Sequence, residues 1–309
     1  MLSYYAKRSS GEDFEKVQSP IGELLWVRGE HFDASDAASL SKQFGLSRNI
    51  LEDVTDSGEL PRADFVDGKE YIFFRVPQRT KKGKVLTRPF LAILDGTRFF
   101  SLSHTDTLLS AEIIQKAASS ASGGAGLLLA TLAGVTGMYE ELMQYTSRTI
   151  QDTGQRLHTH EVTNQDFIHF VTVEDNLNQY QMNLEGILAV TKRLKENSHQ
   201  VFDGQDQESL DDITLHIQQL LVGVDTYFKS VESIRNAYGT IANNTLNERM
   251  KTLTVFTVLI ALPNVFFGMY GMNVDLPYAD QPWAYAAVTS FAIVLIGLVY
   301  LVAKRLRIF

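Results

Sequence analysis

A row of small and polar residues marks one face of the C-terminal part of this chain. Its members recur at intervals of three and four, the spacing that places side chains on one side of an α-helix. They are Asn247, Met250, Thr254, Thr257, Ala261, Asn264, Gly268 and Gly271, and we call this row the polar seam. The stretch from Val255 to Met272 contains no charged residue. As a helix it is long enough to cross a hydrocarbon core of about 30 Å.

Two interpretations fit the polar seam. Small residues allow transmembrane helices to approach closely, so the seam could be a dry contact between helices. Asn264, however, brings a carboxamide to membrane depth, where a polar group needs a hydrogen-bonding partner or water. Asparagine, threonine and the absence of charge suit a wet pathway for a hydrated cation. Because two helices of one chain cannot enclose water, such a pathway requires several copies around an axis.

The elements around the seam indicate a protein with two membrane spans. A second apolar run, 284–303, is followed by a basic tail, 304–309. Arg249 and Lys251 precede the first span, whereas the loop 274–283 contains no lysine or arginine. By the positive-inside rule we expect both termini in the cytoplasm and the loop outside.

A long stalk helix is predicted upstream of the first span. Apolar residues keep a spacing of three and four from Leu210 to Ile241, which is typical of a helix that packs lengthwise on other helices. No proline follows before Pro263, so the helix is expected to continue into the membrane. A helix over 206–272 would measure on the order of 100 Å.

The N-terminal part predicts a soluble α/β domain. Short apolar runs separated by turn residues indicate strands at 22–27, 71–76, 85–86, 90–94 and 98–102. Helices are expected over Ser35–Phe44 and Ser47–Asp53, each with its serine as the N-cap. After a break rich in serine and glycine at 119–126, two helices, 127–160 and 164–197, are predicted to form a hairpin against the sheet.

The composition excludes several function classes. The chain of 309 residues has no cysteine, so it holds neither a disulfide framework nor a thiolate metal site. A net charge of −8 argues against a nucleic-acid partner. No phosphate-binding loop of the form GxxxxGK[ST] occurs and no nucleophile–base pair is indicated, so neither an enzyme nor an organic cofactor is predicted. His104, His169 and His216 are expected to stand alone, without a special role.

The end of the first span carries a motif that resembles that of a known family. Tyr270-Gly271-Met272-Asn273 closes the span, and Tyr238, Asn244 and the segment Asn247-Glu248-x-Met250-Lys251 precede it. With a second span, a very short loop and a basic C-terminus, these residues resemble the CorA family of divalent metal transporters. A Gly-Met-Asn sequence by itself is also compatible with an ordinary left-handed helix cap.

This resemblance implies a homopentameric funnel in the lipid bilayer, with the first span lining the pore and divalent cations, above all magnesium, as cargo. It assigns recognition of the hydrated ion to Tyr270–Asn273, with Asn273 at the outer mouth. It also implies a narrow hydrophobic constriction at Met250 and Leu253. Helix packing accounts equally well for those two side chains.

Four aspartates are candidates for further contact with the cation. The resemblance implies a regulatory metal site between neighbouring cytoplasmic domains, which we assign to Asp212 and, as its partner, Asp106. Asp106 also fits a helix N-cap near Leu108. Asp275 and Asp280 in the outer loop would raise the local cation concentration, or are ordinary loop carboxylates. The loop departs from the acidic Met-Pro-Glu-Leu pattern of the family, which leaves magnesium, cobalt, nickel and zinc all open as the cargo.

The sequence thus predicts an α/β cytoplasmic domain, a long stalk helix and two C-terminal transmembrane helices. The expected segments are the α/β domain (1–118), the helical hairpin (119–204), the stalk (205–250), the pore-lining span (251–273), the external loop (274–283), the second span (284–303) and the cytoplasmic tail (304–309). The predicted function is magnesium influx driven by the membrane potential and gated by cytoplasmic metal. The alternatives are a zinc, cobalt or nickel transporter of the same superfamily, and a membrane-anchored coiled-coil scaffold or sensor without a pore.

Overall fold

Strands from the first hundred residues assemble into one sheet. The computed structural model describes residues 2–7, 14–18, 24–105, 123–156, 164–196, 198–272 and 280–305. Within these ranges the sheet has seven strands in the order β2-β1-β3-β7-β6-β5-β4. The strands are β1 (Leu2–Lys7), β2 (Glu15–Val17), β3 (Leu24–Gly29), β4 (Arg62–Val66), β5 (Lys69–Arg79), β6 (Val85–Asp95) and β7 (Arg98–Leu102). The β3–β7 pair is parallel and the other pairs are antiparallel.

The predicted strands are confirmed, with one correction in β6. We expected two short strands at 85–86 and 90–94, but the structure has a single strand from Val85 to Asp95. Pro89 within it lies opposite Arg75 of β5 and has no N–H to donate. The pairing nevertheless continues on both sides of the proline, and the guanidinium of Arg75 adds a hydrogen bond to the carbonyl of Thr87 at 2.9 Å.

Strands β1, β2 and β4 were not predicted, although the sequence contains a signal for β4. Asp67 and Gly68 join β4 to β5, with φ angles of 52° and 78°. An Asp-Gly pair with two positive φ angles is a preferred two-residue hairpin turn, because its backbone twist matches that of the flanking strands. Arg62 and Asp64 make the alternation of apolar residues in β4 hard to recognise in the sequence. The strand lies at the edge of the sheet.

Two short helices cover one face of the sheet: α1 (Ala34–Phe44) and α2 (Arg48–Glu52). The cap of α1 differs from the prediction, since Asp33 and not Ser35 is the N-cap. Asp33 Oδ1 accepts the backbone N–H groups of Ser35 at 2.8 Å and Asp36 at 2.9 Å. The hydrogen bond from the Ser35 hydroxyl and the one from the Asp36 N–H lower the pKa of Asp33. Ser47 precedes α2 as predicted, without a side-chain cap bond.

The opposite face of the sheet carries the predicted helical hairpin, formed by α3 (Gly124–Arg156) and α4 (Asn164–Lys195). Tyr139 of α3 donates its hydroxyl to the carbonyl of Arg75 in β5 at 3.0 Å, and its burial raises its pKa. Asn176 of α4 bonds to the backbone of Gly83 and Val85, where the β5–β6 turn leads into β6. The sheet is therefore the middle layer of three.

A single helix, α5, runs from Gly204 to Tyr270 over 67 residues and contains Pro263. The prediction of an uninterrupted helix over 206–272 is confirmed to within two residues at each end. The last helix, α6, extends from Ala284 to Arg305. By their internal contacts the residues form two units, Met1–Ser233 and Ile234–Phe309, so that the division falls within α5.

In the first unit, α5 packs through the predicted apolar stripe. The side chains of Leu210, Ile217, Val224 and Val231 are buried. Ion pairs flank this contact, with Lys195 Nζ 2.5 Å from an oxygen of Asp211.

Candidate functional site: the polar seam

The polar seam lies in the second unit, and every one of its residues is exposed there, from Asn247 at one end to Gly271 at the other. Asn264 and Thr257, the two residues that best separate a wet seam from dry packing, are both among the exposed ones. None of the residues that the structure describes therefore covers the seam.

The opposite side of α5 packs on α6. Val255 is only 9% exposed, and the ring of Phe266 meets the ring of Phe291 edge-on at a centroid distance of 5.2 Å. Ala292 of α6 is buried in the same unit. Phe266 follows Thr257 by about two and a half helical turns, so the two side chains point in opposite directions. The contact with α6 thus leaves the seam uncovered.

The threonines of the seam have their hydroxyl protons engaged within the helix. Thr254 Oγ1 donates to the carbonyl of Met250 at 2.8 Å, and Thr257 Oγ1 donates to the carbonyl of Leu253 at 2.9 Å. Each hydroxyl oxygen retains its acceptor lone pairs. The water molecules around a cation point their hydrogens outward. The seam is consequently suited to accept hydrogen bonds from a hydrated cation.

The predicted constriction residues also lie on exposed surface. Met250 is 54% exposed and belongs to the seam, while Leu253 is 61% exposed at its edge. One helical turn separates these apolar side chains from the hydroxyls of Thr254 and Thr257. Rings of such side chains in several copies would form a barrier to water.

Helix α5 ends at the predicted filter motif. Tyr270 is its last residue, and the N–H of Gly271 bonds to the carbonyls of Phe267 at 3.0 Å and Gly268 at 3.2 Å. Gly271 does not adopt a positive φ, so the left-handed cap that the tripeptide alone would allow is not present at this residue. Met272 is exposed. Asn273 lies outside the described residues.

The aspartates predicted to meet the cation are only partly described. Asp212 is exposed on α5 in the first unit, and Asp280 is exposed just before α6. Asp106 and Asp275 lie outside the described residues. Within the described part of one chain, no group of three or more His, Asp or Glu residues could hold a metal ion.

The structure corrects the prediction that the histidines stand alone. His216 Nε2 lies 3.1 Å from an oxygen of Glu140, which links α5 to α3. His104 Nδ1 lies 2.8 Å from the carbonyl oxygen of Phe32. A third histidine, His199, stacks on Phe65 and was missed altogether. No local pattern signals such contacts, because their partners are distant in sequence.

An α/β domain, a helix of 67 residues and a second apolar helix together define a class of protein. Among the described residues, α5 and α6 are long and apolar enough to cross a membrane, and the apolar stretches of both are almost entirely exposed. A buried core helix of a soluble protein does not leave such a surface uncovered. The fold is that of a protein with a large α/β domain followed by two helices that are able to span a membrane.

Comparison with known proteins identifies the family. A family model described as "CorA-like Mg2+ transporter protein" matches residues 22–305. The cobalt/magnesium transport protein CorA of Methanocaldococcus jannaschii is 23% identical over 295 residues, which cover 91% of this chain and 90% of that protein. The chain belongs to the CorA family of divalent-cation transporters.

Two solved structures share the fold along almost the whole chain, and a third shares that of a large part of it. The complete structure of the CorA magnesium transporter from Methanocaldococcus jannaschii matches with a TM-score of 0.85 at 20% identity, covering 99% of this chain and 98% of that one. The full-length CmaX protein matches with a TM-score of 0.76 at 16% identity, covering 99% and 97%. The cytoplasmic domain of ZntB from Vibrio parahaemolyticus matches 78% of this chain and 98% of its own, with a TM-score of 0.62 at 12% identity.

Proposed function

We propose that this protein carries hydrated Mg²⁺ into the cell across the inner membrane, along a water-filled path that several copies line with their polar seams. One observation supports the proposal above all others: the uncharged, oxygen-bearing seam is exposed along its length, on the side of α5 opposite its contact with α6. In a monomer this face would expose Asn264 to lipid, where an unpaired amide is costly. If several copies assembled around an axis, the amide of Asn264 would face a water-filled path instead of lipid.

Five copies are the assembly that the family resemblance implies. In the proposed ring, each α5 turns its seam inward and each α6 faces lipid. The exposed apolar side chains of α6, such as Ile293 at 64% and Leu301 at 65%, suit contact with lipid. Both termini would then lie in the cytoplasm, with the segment between the two spans outside.

The filter is assigned to Tyr270–Asn273 at the outer mouth. Mg²⁺ releases its inner water molecules reluctantly, so neutral oxygens that bind the intact hydration shell recognise it without dehydration. A ring of Asn273 carboxamides would supply such oxygens. Asp275 and Asp280 would raise the cation concentration at this mouth without binding any one ion tightly.

The gate is assigned to Met250 and Leu253 at the cytoplasmic end. Apolar rings close a pore by excluding water, so a small inward rotation of α5 would suffice to stop the flow. Asp212, together with Asp106, would bind Mg²⁺ between neighbouring cytoplasmic domains and stabilise the closed state. The membrane potential drives influx, because a divalent ion gains roughly 4.6 kcal/mol on moving inward across 100 mV.

Cobalt is the second candidate cargo. The relative from Methanocaldococcus jannaschii is named as a cobalt/magnesium transport protein, and a filter that binds hydrated ions would accept Co²⁺ of similar size. Competition between Mg²⁺, Co²⁺ and Zn²⁺ for uptake ranks the three ions directly. A preference for Zn²⁺ would favour the alternative that the protein is a zinc transporter of the same superfamily.

The decisive test is Mg²⁺ uptake by liposomes that contain the purified full-length protein, with an inside-negative potential. We expect uptake by the wild type and a loss of at least about tenfold in Asn273→Ala, corresponding to about 1.4 kcal/mol at the filter. Asn49→Ala, an exposed asparagine on α2, is the matched control and should transport normally. Uptake that is unaffected by Asn273→Ala would refute the filter, and no uptake by the wild type would favour the scaffold without a pore.

A further inference from the structure

A cavity of about 450 Å³ lies where strand β5, the end of α4 and the connector between α4 and α5 meet. Its volume is within the range that small-molecule sites occupy. Leu194 of α4 and Phe202 of the connector form an apolar part of its wall, and they are only 4% and 6% exposed. Because these two side chains are buried, the wall belongs to the packed domain and the cavity is preformed.

The most buried charged group in this cavity is Glu70 of β5, whose side chain is 10% exposed. Among the described residues its carboxylate accepts no hydrogen bond, and the closest basic atom is His199 Nε2, 3.9 Å from Glu70 Oε1. Burial raises the pKa of Glu70, and the charges of His199 and Arg193 offset this effect only in part. A buried carboxylate is costly until hydrogen-bond donors reach it, so this position favours a ligand that brings donors.

Two further charged residues at the end of α4 line the cavity, and both are exposed. Arg193 lies near enough to Glu70 to act on its pKa, yet among the described residues it forms no ion pair within 4.0 Å. Such a guanidinium can bind a carboxylate through two parallel N–H···O bonds. Glu196 places a second carboxylate on the same wall. The cavity thus presents acceptors for a cationic group and donors for an anionic one.

This mixture of charges distinguishes between classes of ligand. Among the residues that the structure describes, no group of three or more His, Asp or Glu could hold a metal ion, and Arg193 repels a bare cation. An inorganic anion would be repelled by Glu70 and Glu196. A small zwitterion satisfies both sets of groups, because its ammonium offers three hydrogen-bond donors and its carboxylate matches an arginine. An α-amino acid carries both charges at neutral pH, and an aliphatic side chain would contact Leu194 and Phe202.

We propose that this cavity binds a free α-amino acid with an aliphatic side chain. Glu70 and Glu196 hold its ammonium group, Arg193 holds its carboxylate, and the apolar wall covers its side chain. The ligand bridges β5 and the connector that leads into α5. The site lies within the first unit of the chain, so its existence does not depend on which ion the protein carries.

Isothermal titration calorimetry on the full-length protein in detergent, with L-leucine as the probe, tests the site. We expect saturable binding with a Kd of about 0.1–1 mM. Isoamylamine lacks only the carboxylate of leucine and should bind about tenfold more weakly. Isocaproate lacks only the ammonium group and should not bind, because its carboxylate has no positive charge beside it to offset Glu70 and Glu196.

Substitutions examine the two charged contacts separately. Glu70→Gln keeps the volume of the side chain but removes its charge, and it should weaken leucine binding at least about tenfold. Arg193→Gln should weaken leucine binding about tenfold and leave isoamylamine binding unchanged. Glu185→Gln is the matched control, because Glu185 lies on an exposed part of α4 where it bonds to Gln181, and it should bind like wild type.

Any of these results would overturn the site: no saturable leucine binding by the wild type below about 10 mM, isoamylamine binding as tightly as leucine, unchanged leucine binding in Glu70→Gln, or equal losses for both compounds in Arg193→Gln. Thermal unfolding shows whether each variant is folded. Should Glu70→Gln fail to fold, Arg193→Gln decides alone, because this exposed arginine is not part of the core.

Discussion

Thr257 and Phe266 of α5 lie on opposite sides of the same helix. The ring of Phe266 packs against the ring of Phe291 in α6, with the two ring centroids 5.2 Å apart. Thr257 is exposed, with its hydroxyl proton donated to Leu253 at 2.9 Å. The helix therefore has one face that contacts the second span and another that meets no partner among the described residues. The proposed path for the ion depends on this separation.

Replacing seam oxygens by carbon should reduce transport without affecting the fold. We expect Thr257→Val and Asn264→Leu each to lower Mg²⁺ uptake by liposomes at least about tenfold, because a dry patch in the path forces the ion to lose water. Val258→Leu is the control, since this exposed residue lies to the side of both the seam and the α6 contact. Normal uptake in both seam variants, with intact assembly by light scattering, would show that the seam is dry.

Two glycines in the helical hairpin should respond oppositely to alanine. A Cβ at Gly186 of α4 would lie 2.7 Å from Cγ and 2.9 Å from Cβ of Pro61, whose ring cannot move aside easily. We expect Gly186→Ala to destabilise the protein by about 1–3 kcal/mol. A Cβ at Gly137 of α3 meets no atom within 4 Å. Gly137→Ala should stabilise by about 0.5–1 kcal/mol, because alanine favours a helix.

Thermal unfolding of the solubilised protein measures both effects in one experiment. The transition should move down for Gly186→Ala and up for Gly137→Ala. Equal shifts in the same direction would contradict the packing of α4 on the Pro61 segment.

Asn176 should be the most sensitive polar residue of α4. Its Oδ1 accepts the N–H of Val85 at 2.8 Å and its Nδ2 donates to the carbonyl of Gly83 at 2.9 Å. Asn176→Ala leaves both backbone groups unpaired beneath the helix and should cost about 2 kcal/mol. Gln181→Ala, on the exposed side of α4, should change the free energy of unfolding by less than about 0.5 kcal/mol. Chemical denaturation measures the free energy of unfolding of both variants. Equally small losses in Asn176→Ala and Gln181→Ala would contradict a stabilising role for the hydrogen bonds of Asn176.

Glu70 should make stability fall as the pH rises. Burial raises its pKa in the folded protein, so the folded state binds the proton more tightly than the unfolded chain. This contribution is fully present below the ordinary pKa of glutamate and is lost as the pH rises through the raised value. Glu70→Gln removes this pH-dependent contribution to stability. The melting temperature of the variant minus that of the wild type should therefore increase from pH 4.5 to pH 7. A difference that is constant with pH would contradict the raised pKa.

Regular patterns in the sequence were sufficient to predict the elements that position the seam. The apolar stripe from Leu210 to Ile241 and the uncharged run after Val255 predicted one helix, and α5 is continuous from Gly204 to Tyr270. These patterns are local, because side chains three and four residues apart share a helix face whatever surrounds them. The family motif Tyr270–Asn273 could also be recognised in the sequence, because recognition depends on residue identity alone.

Contacts between distant residues could not be predicted in the same way. Asn176 bonds to Gly83 and Val85 at the start of β6, and Phe65 stacks on His199. Nothing in the spacing of these residues relates one to the other, and the exposed edge strand β4 that carries Phe65 was itself missed. The roles of Asp212 and Asp106 remain predictions, because a site shared between subunits leaves no pattern in one chain.

The polar seam contains asparagine, threonine, alanine, glycine and methionine, and therefore no group that titrates near physiological pH. Acid or base cannot switch the electrostatics of this lining on or off. If the proposed path exists, a dependence of ion flow on acidity would have to come from titratable groups outside these eight residues, and mutation of those groups would remove it without changing the seam.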